Sequence, residues 1–219
     1  MCGRLAQVTA AGKIMDILDI INELHDTTPR YNIVPTTELA ILRLSDSAGQ
    51  LEWKKMRWGL IPGWSKTEQL KIHLFNARAE TAAEKPSFRN AYRTLRCVIP
   101  VDGFYEWKRE NNEKQPYYFR KKDQSPLLFA GLWELWTDNQ TTIESTTIIT
   151  TEANQLMAPI HNRMPVMLTA QNVPRWLDLS NPTASRLLTS YQGEDLETYP
   201  VDKYVNNARH DDPACIKPL

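Results

Sequence analysis

The sequence predicts an α+β fold: a single domain with an antiparallel, barrel-like β core flanked by short helices. Three observations lead there. Between Arg96 and Thr151 the chain is a succession of β-branched and aromatic runs, at 97–101, 104–108, 117–120, 127–133 and 142–151, separated by turn residues. Helical periodicity is confined to short segments outside that region. No long Pro/Gly/Ser-rich linker divides the chain, so residues 1–219 read as one domain. Many short strands with few helices suit a sheet that curls into a barrel.

The remaining elements follow in order. Residues 4–8 read as a short strand. Residues 10–21 carry Ile14, Leu18 and Ile21 at i, i+4 and i+7, the spacing of an amphipathic helix. Pro29-Arg30-Tyr31-Asn32-Ile33-Val34-Pro35 is a loop bounded by prolines. Residues 39–44 and 51–58 form a strand pair about a turn at 45–50. Gly59-Leu60-Ile61-Pro62-Gly63-Trp64 is a loop, and 81–92 is helical with an interruption at Pro86. After the β region come a helix at 153–157 before Pro159, a strand at 165–168, and helices at 171–177 and 183–191.

Composition is that of an ordinary globular protein, 42% hydrophobic and 24% charged. There is no apolar run of membrane-spanning length and no basic-then-apolar secretory leader. Three widely spaced cysteines (Cys2, Cys97, Cys215) argue against a disulfide framework and fit a reducing, cytoplasmic setting. Net charge is zero, yet unevenly spread. Residues 1–122 hold 20 Lys and Arg against 14 Asp and Glu, and residues 123–219 hold 6 against 12. Either the two halves present faces of opposite sign, the basic one to a polyanion, or they interleave and the asymmetry cancels.

Cys2 is the position with the most chemistry. Once Met1 is removed, its α-amine and thiol sit on adjacent carbons, with ordinary pKa values of about 8 and about 8.5. The amine can condense with an aldehyde, and the thiolate can then close a five-membered thiazolidine on the imine carbon. An internal cysteine cannot, because its nitrogen is an amide. On Met1-Cys2 alone, an ordinary small residue after the start is the simpler reading.

Other polar residues stand in apolar or turn-rich surroundings. Asn76 lies in Leu74-Phe75-Asn76-Ala77-Arg78. Strand periodicity puts Phe104, Glu106 and Lys108 on one face, opposite Tyr105 and Trp107. Glu106 is then either a desolvated carboxylate suited to proton transfer or a solvated one paired with Lys108. His161, between Pro159 and a strand, is either a neutral base or a loop histidine bonded to backbone. Trp58, Trp64 and Trp107 lie near glycines or turns, where a ring can stack on a base. Arg4, Arg30, Arg78 and Arg163 each adjoin a candidate residue or the proline loop, as phosphate-positioning arginines do. There is no HExxH, no Cys/His cluster, no phosphate-binding glycine loop and no GxSxG, so neither metal nor cofactor is expected.

Six segments in order, Met1-Cys2-Gly3-Arg4, Arg30-Tyr31-Asn32-Ile33-Val34-Pro35, Trp58-Gly59-Leu60-Ile61-Pro62-Gly63-Trp64, Asn76-Ala77-Arg78-Ala79-Glu80-Thr81, Asp102-Gly103-Phe104-Tyr105-Glu106-Trp107-Lys108 and His161-Asn162-Arg163-Met164-Pro165-Val166, resemble the SOS-response-associated peptidase (SRAP) family of abasic-site processing proteins. The resemblance spans nearly the whole chain and continues to Val205-Asn206-Asn207. It implies a single-domain α+β fold with a basic groove for single-stranded DNA containing abasic sites, in a monomer that is cytoplasmic, or nuclear in a eukaryote. It further implies removal of Met1, by the protein itself as a self-acting peptidase or by a separate aminopeptidase, and a thiazolidine crosslink from Cys2 to the opened sugar aldehyde, with lyase-type Schiff-base chemistry on the way. Cys2, Asn76, Glu106 and His161 are the implied catalytic residues. Glu106 and His161 act as acid and base, and Asn76 holds the Cys2 end. Arg4, Arg78 and Arg163 are the implied phosphate contacts, Trp64 the stacking ring and Pro35 a wedge. Ser65-Lys66 departs from relatives that carry a second aromatic after Trp64.

Two rivals belong to other classes. A glutamine amidotransferase with an N-terminal nucleophile also opens Met-Cys-Gly, but its Asn-Gly-Glu and Arg-Gly-Pro-Asp segments are missing here. A non-covalent single-strand-binding module would use the groove and leave Cys2 incidental.

Overall fold

The computed structural model describes residues 2–15, 17–20, 24, 28–45, 49–70, 73–110, 113–138 and 140–219. The chain opens with β1 (Leu5–Gln7), α1 (Ala10–Met15) and β2 (Arg30–Ile33). The hairpin strands β3 (Glu38–Leu44) and β4 (Leu51–Trp58) follow, then β5 (Asn76–Arg78) running into α2 (Ala79–Ala82) and α3 (Arg89–Thr94). Five longer strands come next: β6 (Arg96–Val101), β7 (Gly103–Glu110), β8 (Glu113–Lys121), β9 (Leu127–Thr137) and β10 (Thr142–Glu152). The short strands β11 (Arg163–Pro165) and β12 (Met167–Leu168), helix α4 (Val173–Leu177) and strand β13 (Leu196–Pro200) complete the fold.

Strands β10, β4, β3, β6 and β9 pair in that order, and β9 pairs again with β10, closing a five-stranded barrel. All its pairings are antiparallel except β4 with β10. Period-two alternation explains its two surfaces. Leu39, Ile41, Cys97, Ile99, Phe129 and Ile148 point into one cluster, the barrel interior. Their neighbours Leu42, Val98, Ala130 and Ile149 point out, against Ile14 of α1, Ala91 of α3 and Trp176 of α4. A second antiparallel sheet, β13-β8-β7-β1-β2, lies beside the barrel. Leu5, Phe104 and Phe119 on one of its faces extend the barrel's interior cluster. Ala6, Tyr105 and Tyr118 on the other face pack beneath Val201, Val205 and Cys215.

The strand expectations hold from 97 to 151, and so do the hairpin and the helical break at Pro86. Several expectations are corrected. The proline-bounded segment is a strand, because Pro29 and Pro35 flank β2 and leave its ladder donors intact. The first helix stops at Met15. Gly12 weakens it, and Ile20 instead bridges to Leu51 in extended form; residues 16 and 21 of the expected helix, and 46–48 of the hairpin turn, lie outside the described residues. The segment 153–157 is irregular chain at 153–154 running into turns at 155–160, since Asn154 Oδ1 takes the Met157 N–H and Pro159 prevents extension. The segment 183–191 is a 3-10 turn at Ala184–Leu187, after which Asn154 donates to the Tyr191 carbonyl and holds the chain outside a helix. The strand at 165–168 is two, β11 on β10 and β12 on β9, exchanged at Val166.

Candidate active site

The site assembles where β1, β5, β7 and the end of β10 meet. β1 pairs antiparallel with β7, Leu5 opposite Phe104 and Ala6 opposite Gly103, and the Tyr105 N–H donates to the Arg4 carbonyl at 3.0 Å. Continued toward the N-terminus, that register sets residue 3 opposite Glu106. Cys2 is buried, 1% exposed, in the barrel's interior cluster with Phe104, Met157 and Met164. Burial first, and then the charge of Glu106, push its thiol well above the ordinary value. Glu106 is itself only 4% exposed. The competing pairing fails, because the Lys108 ammonium goes to Glu110.

β5 enters from the other side. Its parallel register on β10 sets Asn76 against Ile148 and Arg78 against Thr150. Asn76 Nδ2 donates to the Cys2 carbonyl at 2.7 Å, while Asn76 Oδ1 is buried with no hydrogen bond among the described residues. The structure thus brings Cys2, Asn76 and Glu106 together.

His161 belongs to the same end of β10. Its backbone N–H closes the preceding turn on the Met157 carbonyl at 3.0 Å, and Ile160 packs against the cluster that holds Cys2. His161 Nδ1 lies 3.0 Å from the Arg163 backbone N–H, which donates to it when the neutral ring's proton is on Nε2, and 3.2 Å from the Arg163 carbonyl, which accepts from it in the other tautomer. The Arg163 side chain turns the other way. Its two terminal nitrogens bond Glu80 Oε1 and Oε2 at 2.8 and 2.9 Å, and Nη2 also donates to the Thr150 carbonyl at 2.6 Å.

The other arginines differ from one another. Arg4 Nη1 donates to Asn32 Oδ1 and to the Val205 carbonyl, each at 2.6 Å, and its guanidinium lies 5.6 Å from the Trp107 ring centre. Burial lowers its pKa. Arg30 pairs with Asp211. Arg78 is exposed, at the joint of β5 and α2, with no ion pair among the described residues. Among the tryptophans, Trp58 is fully buried and donates to the Phe75 carbonyl, and Trp107 donates to Asn206. Trp64 is the outward ring, 65% exposed, with its indole N–H held at 3.2 Å by the Pro86 carbonyl. Pro35 borders a cavity of about 310 Å³ lined also by Thr36, Arg57, Gly59, His73 and Leu74. The rim there is tightly wound, with Thr36 at φ 76° and Gly59 at φ 128°.

Two residues of the site's support escaped the sequence reading. Asn32 is a buried hub whose Nδ2 meets the carbonyls of Val205, Asn207 and His210 while its Oδ1 accepts from Arg4. Glu80 grips Arg163. The only signal was the place of each inside a quoted motif, since their partners are far away in the chain.

Three comparisons bear on this geometry. The family model described as SOS response associated peptidase (SRAP) matches residues 1–208. The Abasic site processing protein YoqW of Bacillus subtilis (strain 168) is 39% identical over 224 residues, covering 99% of this chain and 99% of its own length. The Abasic site processing protein YedK of Escherichia coli (strain K12) is 30% identical over 228 residues, with both chains fully covered. An X-ray structure of a Bacteroides thetaiotaomicron protein superposes with a TM-score of 0.81 at 27% identity, over 98% of this chain and 99% of that one.

Proposed function

Because the chain belongs to the SOS response associated peptidase (SRAP) family, we propose that it processes abasic sites in single-stranded DNA by capturing the lesion's aldehyde on Cys2. The observation that carries this reading is the second residue itself. Its thiol is buried where the charge of Glu106 reaches it, and its carbonyl is held by Asn76.

The first step is hydrolysis of the Met1–Cys2 peptide bond, catalysed by the protein on itself, with water as the second reactant. It frees the α-amine of Cys2. Met1 lies outside the described residues, so this step rests on the chemistry of residue 2. The amine then adds to the C1 aldehyde of the opened sugar. Loss of water from the carbinolamine gives an imine. The Cys2 sulfur attacks the imine carbon and the nitrogen regains a proton, closing the thiazolidine. An open imine activates the sugar for β-elimination of its 3′ phosphate; closing the ring removes the imine and shields the strand.

In this scheme Glu106 takes and returns the protons of the amine and thiol. The raised thiol pKa keeps the sulfur protonated, so a base must take its proton as it attacks, and Glu106 has that task. His161 assists opening of the sugar and reversal of the adduct through a ring proton on Nε2. Asn76 holds the Cys2 backbone and offers Oδ1 to the amine. Arg78 contacts a flanking phosphate with its exposed guanidinium. Arg4 and Arg163 shape the walls and reach phosphate only by exchanging protein partners. Trp64 stacks on a base, and Pro35 wedges at the rim of its cavity. The protein acts as a monomer in the compartment that holds the DNA.

Intact mass tests the proposal. The purified protein should lack one methionine. After incubation with a single-stranded oligonucleotide bearing one abasic site, it should gain the oligonucleotide less one water, in a heat-stable adduct. Cys2→Ala should give no such adduct while keeping weak, salt-sensitive binding. A full adduct from Cys2→Ala, or from protein retaining Met1, would overturn it.

A further inference from the structure

Glu80 has no part in the chemistry above, yet it occupies a connected position. It lies in the first turn of α2, two residues after Arg78 and four after Asn76. Both its oxygens accept from the Arg163 guanidinium, at 2.8 and 2.9 Å, and Arg163 Nη2 reaches on to the Thr150 carbonyl at 2.6 Å. This is the fork geometry in which an arginine is most firmly oriented. The Arg163 side chain is only 12% exposed, and that of Glu80 is 47% exposed. The arginine is thus a wall element whose open side is closed by a single carboxylate, which Arg163 in turn holds below the usual carboxylate range. The backbone of Arg163 starts β11, paired as Glu152 opposite Arg163 and Thr151 opposite Met164. Its N–H stands 3.0 Å from His161 Nδ1 and its carbonyl 3.2 Å from the same nitrogen, so the placement of this one residue's backbone decides which ring tautomer is favoured.

We propose that Glu80 is a positioning residue for His161. Its two-pronged hold on Arg163 fixes the start of β11, so that the Arg163 N–H keeps His161 Nδ1 as an acceptor and the proton of the neutral ring on Nε2. This rests on the reading of His161 as a proton-transfer residue. It adds that the tautomer is set from α2, through a residue that touches neither DNA nor the reacting atoms. Arg163 acts here through its backbone.

The test has two arms. The first uses the free protein labelled with 15N, reading the His161 ring nitrogens by long-range 1H–15N correlation at a pH where the ring is neutral. Wild type should show an unprotonated Nδ1 and a protonated Nε2. Glu80→Ala should shift the population toward the Nδ1–H form, and Glu80→Gln, which keeps one acceptor oxygen, should shift it less. The second arm follows adduct formation at saturating abasic single-stranded DNA, with binding measured separately. Glu80→Ala should convert about tenfold more slowly, a part of the 10²–10⁴-fold that a placed acid–base group supplies. Its affinity should change less than about twofold, as expected when an effect falls on conversion and not on binding.

An unchanged tautomer in Glu80→Ala, with only a lower melting temperature, would overturn the proposal. So would normal conversion at saturation combined with weaker binding, which would make Glu80 part of the binding wall. The first arm needs no DNA. If wild type formed no adduct at all, the Cys2 reading would fail while the tautomer measurement still decided the role of Glu80.

Discussion

Asn76 shows how a single side chain ties the two halves of the site. Its amide donates to the Cys2 carbonyl across 74 positions of sequence. Aspartate at 76 has nearly the same shape but cannot donate, and would turn a charged acceptor toward a carbonyl. Losing one such bond costs about 1 kcal/mol net, and leaving the partner unsatisfied adds to it. Asn76→Ala should therefore form the adduct about tenfold more slowly, and Asn76→Asp more slowly still, with little change in DNA affinity. Single-turnover rates alongside fluorescence anisotropy would check this. Equal slowing of both variants with lost affinity would instead make Asn76 a DNA contact. At this scale some facts were legible beforehand. Cys2 announced itself by its position, and the period of two placed Glu106 on the face of Phe104. The partners of Arg4 and Arg163 were not legible, because Val205 and Glu80 are brought to them only by the folded chain.

Among the elements, the turn between β6 and β7 carries more than its length suggests. Asp102 Oδ2 accepts the backbone N–H groups of Val8, Thr9 and Ala10, and Oδ1 accepts the Thr9 hydroxyl at 2.6 Å. It thereby caps the start of α1 and ties it to the strand that presents Glu106. Gly103 follows because nothing larger fits. A Cβ there would lie 2.3 Å from Tyr118 Cζ and 2.5 Å from the Phe119 carbonyl oxygen. Asp102→Ala should lower stability by about 2 kcal/mol, the upper range for a lost cap, measured as a shift in urea midpoint at constant slope. A loss under about 0.5 kcal/mol would show that water replaces the carboxylate. The long strands were legible because β-branched runs alternate inward and outward along a barrel wall. Strands β2 and β5 were not, being four and three residues long. Such short segments take their conformation from the edge they join. The expected helix at 183–191 failed for the opposite reason, since propensity there yields to the Asn154 and Asp195 bonds that hold Tyr191.

Across the whole molecule, the basic and acidic halves interleave. β4 and β6 of the first half pair with β10 and β9 of the second, and β13 pairs with β8. The charge asymmetry along the chain therefore does not build a basic face by itself, and exposed cations such as Arg78 act only locally. The C-terminal segment shows the same interleaving. It runs back over the second sheet, and its carbonyls at Val205, Asn207 and His210 converge on Asn32. Asp211 then accepts the N–H groups of Tyr31 and Asn32 and pairs with Arg30. Since β2 pairs with β1, and β1 continues to Cys2, this strap braces the strand that leads to Cys2. Asp211→Ala leaves two backbone donors and a cation without their acceptor, at a cost of about 1–3 kcal/mol. The urea midpoint should fall by that amount at constant slope. If the brace reaches Cys2, adduct formation at saturating DNA should slow severalfold at a temperature well below the transition, with the final yield unchanged. A lower midpoint with an unaltered rate would confine the strap to holding the second sheet together, and would place the ordering of Cys2 with Asn76 and the β7 ladder alone.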